Sequence, residues 1–135
     1  MQDCIFCKIV QGKIPSYKIY ENDNYLAFLD IFPATEGYTL VVPKKHYRWV
    51  WDVEDINGYF TVCKKVAQHF QKVTGDDKVF SMIIGEEVPH AHIRIIPGSN
   101  EKFNAKLYEF LQDTQSKDIL SKAKAEEILK KFKIN

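Results

Sequence analysis

The run Val88-Pro89-His90-Ala91-His92-Ile93-Arg94-Ile95-Ile96-Pro97 constrains what this chain can fold into more than any other stretch. Its alternation has a period of two, so Ala91, Ile93 and Ile95 point toward a core while His90, His92 and Arg94 share the opposite face of a strand. Three polar groups in a row on a half-buried strand are either a solvated surface or a site. The rest of the chain decides between them.

A length of 135 residues fits one domain with a real core and is too short for two ordinary ones. With 45% hydrophobic and 27% charged residues the composition is globular, and a formal net charge of +1 creates no global field toward nucleic acid or an acidic membrane. No apolar run approaches the roughly 18 to 20 residues of a membrane span. Met1-Gln2-Asp3-Cys4 lacks the basic and apolar regions of a signal peptide, so the expectation is a cytoplasmic protein with no membrane and no nucleic-acid partner. Three cysteines, two of them in a C-x-x-C, suit a reducing compartment better than a disulfide framework, and Cys63 reads as core.

Residues 4–11 read as a short helical turn that presents Cys4 and Cys7, ended by Gly12 and Pro15. Residues 17–21 and 25–29 read as paired strands around Asn22-Asp23-Asn24, and residues 38–42 as a β-rich strand stopped by Pro43. Asp52 is the expected N-cap of a long helix whose buried stripe is Ile56, Phe60, Cys63, Ala67 and Phe70, with His69 on its flank and Gly75 as its stop. Residues 79–84 and 91–96 are two further strands. The sum is an α+β fold, a five-stranded antiparallel sheet with a long covering helix. Beyond Pro97 the pattern turns helical over 104–111 and 118–132, the latter with Ala125, Ile128, Leu129 and Phe132 on one side and Glu126/Lys130 and Glu127/Lys131 as ion pairs. Its lysines read as a solvated face, since only Phe132 stands among them where a nucleic-acid surface would want several aromatics.

Cys4-Ile5-Phe6-Cys7 offers two thiolates at a spacing that lets one turn of backbone chelate an ion. Taken alone, the pair is equally a redox couple, a metal hook or two thiols in an apolar cluster. Two sulfurs and two nitrogens from Cys4, Cys7, His46 and His90 would complete a tetrahedral zinc site.

Cys4-x-x-Cys7-Lys8-Ile9-Val10, Ile14-Pro15-Ser16-Tyr17, Leu26-Ala27-Phe28-Leu29-Asp30-Ile31, Gly37-Tyr38-Thr39-Leu40-Val41-Val42-Pro43-Lys44-Lys45-His46-Tyr47 and Val88-Pro89-His90-Ala91-His92 resemble, in order, the landmarks of the histidine triad (HIT) family, most closely its Hint-like bacterial branch. The resemblance covers residues 3 to 98 or so and implies a HIT-like nucleotide-binding domain over residues 1–100; residues 101–135 fall outside it and read as a C-terminal helical extension packed on the same domain. It also implies a homodimer. Against the family's His-φ-His-φ-His-φ-φ pattern, with φ apolar, the third histidine is Arg94; Tyr38 replaces another common histidine, the loop before the motif is short, and Glu86 stands where Gln is common.

The resemblance assigns His92 as the nucleophile that attacks the α-phosphorus of a purine nucleotide, and His90 to a structural zinc with Cys4, Cys7 and His46. Arg94 can grip a phosphate oxygen but cannot donate a proton at neutral pH as a histidine can. Asp30 matches the acid placed on the ribose hydroxyls, while Phe6, Ile9, Phe28 and Ile31 are expected to wall the base and Ser99 to replace a lost polar contact. The function implied is a nucleotidyl hydrolase or transferase acting on purine nucleoside phosphoramidates or dinucleoside polyphosphates through a covalent nucleotidyl-His92 intermediate. The alternatives are a zinc-stabilised nucleotide-binding protein with little or no turnover, or a scaffold that keeps only zinc and fold.

Overall fold

The computed structural model describes residues 3–134. Its element order is α1 (Ile5–Val10), β1 (Lys18–Glu21), β2 (Tyr25–Leu29), β3 (Thr39–Pro43), a 3-10 turn at Val50–Asp52, α2 (Ile56–Thr74), β4 (Val79–Met82), β5 (Ile93–Pro97), α3 (Glu101–Thr114) and α4 (Lys122–Phe132). The five strands form one antiparallel sheet in the order β1-β2-β3-β5-β4. The chain divides into two compact units, Met1–Asn104 and Ala105–Asn135.

Both faces of the sheet are covered, which explains why β2 and β3 read as continuous apolar runs rather than as alternating ones. On one face Tyr25, Ala27, Val41, Ile93 and Ile95 pack against Tyr59, Val62, Cys63, Val66 and Phe70 of α2. On the other, Leu26, Phe28, Leu40 and Val42 pack against Cys4, Phe6 and Ile9 of the α1 segment. Leu40 and Arg94 are direct partners across β3 and β5, so Arg94 shares the α1 face with Leu40. The β1–β2 turn is made by the Asn22 carboxamide, whose Oδ1 accepts from the N–H groups of Asn24 at 2.9 Å and Tyr25 at 2.8 Å.

The long helix differs from its expected form in its start and its rotation. Its cap is Asp55, which accepts from Gly58 N–H at 3.0 Å, while Asp52 closes the preceding 3-10 turn. Its buried stripe runs through Tyr59 rather than Phe60, which is 41% exposed, because the Tyr59 hydroxyl donates to the Val41 carbonyl at 2.7 Å and its ring stacks on Tyr25. Cys63 is buried in that core, His69 is exposed, and Gly75 ends the helix in a left-handed conformation (φ 71°).

Strand β5 begins only at Ile93, so His90 and His92 precede the ladder instead of lying in it. Their backbone is bonded elsewhere: His90 N–H donates to the Val88 carbonyl at 2.8 Å and Ala91 N–H to Tyr47 at 2.7 Å. Strand β4 likewise stops at Met82, ahead of Gly85 with its φ of 77°. In the second unit, Ser121 caps α4 by accepting from Lys124 N–H at 3.1 Å. The exposed ion pairs are Lys122–Glu126 and Lys124–Glu127, in place of those expected from Glu126 and Glu127 toward the C-terminus. Among the described residues no helix is long and apolar enough to cross a membrane.

Tyr59→Ala should destabilise the fold by about 3–5 kcal/mol, as loss of a buried aromatic does. Tyr59→Phe should cost about 1 kcal/mol for the single hydrogen bond to Val41. Urea denaturation of both variants measures the two effects separately.

Candidate functional site

Four side chains from three separate segments meet beside α1. Cys4 is the N-cap of α1, with its sulfur accepting from Cys7 N–H at 3.3 Å, and Cys7 lies in the same turn. His46 follows β3, and His90 precedes β5. The sulfur of Cys7 lies 3.2 Å from His46 Nδ1 and 3.4 Å from His90 Nδ1; Cys4 Sγ is 3.4 Å from His90 Nδ1, and the two Nδ1 atoms are 3.2 Å apart. Four ligands about 2.0–2.3 Å from a common centre stand roughly 3.3–3.8 Å apart in a tetrahedron. The observed separations fit that geometry within a few tenths of an ångström.

The donor chemistry fits a metal as well. His90 Nε2 lies 2.8 Å from the Pro43 carbonyl, which can only accept, so Nε2 carries the proton and Nδ1 presents its lone pair to the cluster. Burial holds the His90 imidazole down at about 4 and also lowers that of His46, so both rings are neutral at pH 7. Burial, followed by neighbouring Cys4, pushes the Cys7 thiol up to about 11. At neutral pH the Cys7 thiol becomes a thiolate only against a cation. The set Cys4, Cys7, His46 and His90 can therefore hold a metal ion.

A cavity of about 450 Å³ opens on the same face of the sheet. Its apolar wall includes Phe6 and Ile9 of α1, Phe28 of β2 and Leu40 of β3, with Ile31 among its lining residues although 69% exposed. Its polar groups include Asp30, His92 and Arg94.

His92 is only 4% exposed, and its Nδ1 donates to the His90 carbonyl at 2.8 Å. That bond leaves Nε2 as the lone-pair nitrogen. The Phe6 ring meets the imidazole edge-on, with centroids 5.2 Å apart. Burial lowers the basicity of His92, and the charges of Arg94 and Arg48 lower it further, against the opposing effects of the His90 carbonyl and Asp30. The ring is neutral at pH 7 and so available as a nucleophile. Arg94 Nη1 is buried and has no hydrogen-bond partner among the described residues. A buried guanidinium N–H without an acceptor is costly, and an anion in the cavity would satisfy it. One oxygen of Asp30 accepts from Phe32 N–H at 2.8 Å.

The structure thus brings together Phe6, Ile9, Phe28, Asp30, Ile31, His92 and Arg94 at one cavity and Cys4, Cys7, His46 and His90 at one cluster. Ser99 is exposed after the end of β5 and is not among the residues lining the cavity. Sequence reasoning gave no role to Tyr38 or Glu87, both of which line the cavity, nor to Arg48, whose guanidinium donates to Gly85. Tyr38 had a signal, since it replaces a common family histidine. Arg48 had none.

A family model described as "HIT domain" matches residues 11–101. The Bacillus subtilis protein named "Protein hit" is 36% identical over 132 residues, a match covering 87% of this chain and 88% of that one. Coverage of that extent takes in part of the tail beyond residue 101, so the likeness does not end with the sheet. The Saccharomyces cerevisiae "Adenosine 5'-monophosphoramidase HNT1" is 36% identical over 104 residues, covering 73% of this chain and 65% of its own. Among solved structures, a Hit-like protein from Bartonella henselae described as involved in cell-cycle regulation has a TM-score of 0.67 and 34% identity, over 72% of this chain and 79% of that one.

The cluster leads to a metal prediction. Elemental analysis should find about one transition-metal ion per chain, and Cys7→Ala should remove it together with part of the thermal stability. In the ion-free protein Cys7 is protonated at neutral pH, since its thiol is pushed up to about 11. Binding therefore releases protons, and affinity should rise with pH. Ion titration at about pH 6 and about pH 8 checks the sign, and equal affinities would contradict it.

Proposed function

This chain belongs to the HIT domain family, and from that premise we propose that it is a nucleotidyl hydrolase or transferase acting on purine nucleoside phosphoramidates or dinucleoside polyphosphates through a covalent nucleotidyl-His92 intermediate. One observation carries the reading: His92, fixed as a neutral Nδ1–H tautomer, lines the same cavity as Arg94, whose buried Nη1 has no partner among the described residues. A neutral nucleophile beside an unsatisfied cation is suited to attack on an anionic phosphorus centre. The phosphoramidase named among the yeast relatives supports the same class of reaction.

In this mechanism the base lies against Phe6, Ile9, Phe28 and Ile31, and a carboxylate oxygen of Asp30 accepts from the ribose hydroxyls. His92 Nε2 attacks the α-phosphorus, the bond to the leaving group breaks, and the nucleotide is held on the imidazole until water displaces it. Nδ1–H stays on the His90 carbonyl and balances the positive charge that the ring acquires. Arg94 takes the charge that grows on the phosphoryl oxygens. It cannot protonate a leaving amine, so that proton comes from solvent.

Cys4, Cys7, His46 and His90 would hold a structural zinc, whose chemistry is closed four-ligand coordination that pins α1 and the segment after β3 beside the histidine segment. That ligand set supports a Hint-like bacterial affiliation. Strand β4 at the sheet's edge supports a homodimer, and three free cysteines support a cytoplasmic setting. The lack of a proton donor at Arg94 favours a second reading, a zinc-stabilised nucleotide-binding protein with little turnover.

A panel of adenylate and guanylate phosphoramidates and dinucleoside polyphosphates, read for product and for a covalent adduct by mass spectrometry, separates the two. His92→Ala should abolish both turnover and adduct, and retained turnover would refute the mechanism. Arg94→Ala should lower kcat by about 100- to 1,000-fold, the size expected for loss of one charge-stabilising donor.

A further inference from the structure

Four consecutive residues after β3 hold the histidine segment at four points. His46 meets His90 in the metal-type cluster, with their Nδ1 atoms 3.2 Å apart. The Tyr47 carbonyl accepts from Ala91 N–H at 2.7 Å. Arg48 Nη1 donates to the Gly85 carbonyl at 2.7 Å. Trp49 lies under the Arg48 guanidinium, whose carbon is 3.9 Å from the ring centroid, and its six-membered ring faces Gly85.

Gly85 is the contact that matters for His92. Gly85 is buried, and a methyl group placed on its Cα would stand 3.6 Å from Trp49 Cζ3 and 3.9 Å from His92 Cε1, so both rings lie on the side of Gly85 from which a side chain would project. Cε1 is bonded to both Nδ1 and Nε2, so the ring atom facing Gly85 is next to the lone-pair nitrogen. Gly85 also has a φ of 77°, in the left-handed region that only glycine adopts without strain. A loop in that conformation keeps its place when its carbonyl is tied. The Arg48 bond is charge-assisted and its guanidinium is stacked, which fixes both the direction and the reach of the donor.

We propose that Arg48 is a positioning residue for His92, acting through the Gly85 carbonyl. By tying Gly85 beside the Trp49 and His92 rings it limits the tilt of an imidazole that the Nδ1 bond to the His90 carbonyl holds at one nitrogen. The same tie places the loop that supplies Glu87 and Val88 to the cavity wall. Arg48 is not among the residues that line the cavity, so the role is one of positioning. This role rests on the reading of His92 as nucleophile, because a displaced attacking nitrogen costs rate whereas a displaced wall residue costs binding.

The test uses the full-length, metal-replete protein in two arms. In the kinetic arm, Arg48→Ala should lower kcat for an adenosine phosphoramidate about 10- to 100-fold while KM changes less than about threefold, and Arg48→Lys, which keeps a charged donor, should recover most of the loss. In the spectroscopic arm, the Cε1–Hε1 signal of His92 in a histidine-labelled sample should shift or broaden in Arg48→Ala, while metal content stays the same. Should the wild-type protein show no turnover, the nucleophile reading fails and the spectroscopic arm alone decides the Arg48 contact. An unchanged His92 signal in Arg48→Ala, or a loss confined to KM, would overturn the proposal.

Discussion

His90 joins the two halves of the site, and every polar atom it has is committed. Its Nε2 donates to the Pro43 carbonyl, its Nδ1 faces Cys4, Cys7 and His46, its backbone N–H donates to Val88, and its carbonyl accepts from His92 Nδ1. The last of these bonds sets the tautomer of His92, so the protonation pattern in the cavity is inherited from the residue that serves the cluster. With the side chain wholly buried, none of these bonds competes with water, and the low local polarity strengthens each one.

That coupling depends on the sheet being covered twice. Helix α2 seals one face, so the α1 face is free to carry polar groups among apolar neighbours. There Arg94 stands opposite Leu40, and His92 meets the edge of Phe6. The apolar surround is what makes the polar groups consequential. It keeps the imidazole neutral and leaves the guanidinium of Arg94 with an unmet N–H, which an exposed strand would have given to solvent.

Much of this was legible in the sequence where local chemistry dominates. Strands β2 and β3, the stop at Gly75, the short helix that carries Cys4 and Cys7, and the burial of Cys63 all follow from apolar pattern and turn residues. The rotation of α2 was less so. Phe60 and Tyr59 are neighbours and each fits a helical stripe, so the choice falls to the hydroxyl bond from Tyr59 to Val41, which no periodicity encodes. The start of β5 is a similar case. Alternation at His90, Ala91 and His92 fits a strand, yet the His90 and Ala91 N–H groups are spent on Val88 and Tyr47. Arg48 left no trace at all, since its partner is a backbone carbonyl 37 residues away.

By itself the sequence determined which chemical groups the protein has and how they are spaced: two thiols one turn apart, and two histidines and an arginine at alternate positions. Those follow from spacing, because the periods of helix and strand are fixed by backbone geometry. The tertiary structure alone decided which nitrogen of His90 and of His92 carries the proton, that Arg94 Nη1 has no partner among the described residues, and that Gly85 lies beside His92. Each of these depends on a carbonyl or ring brought from a distant segment, and a hydrogen bond is set by distances of tenths of an ångström that spacing along a chain cannot specify.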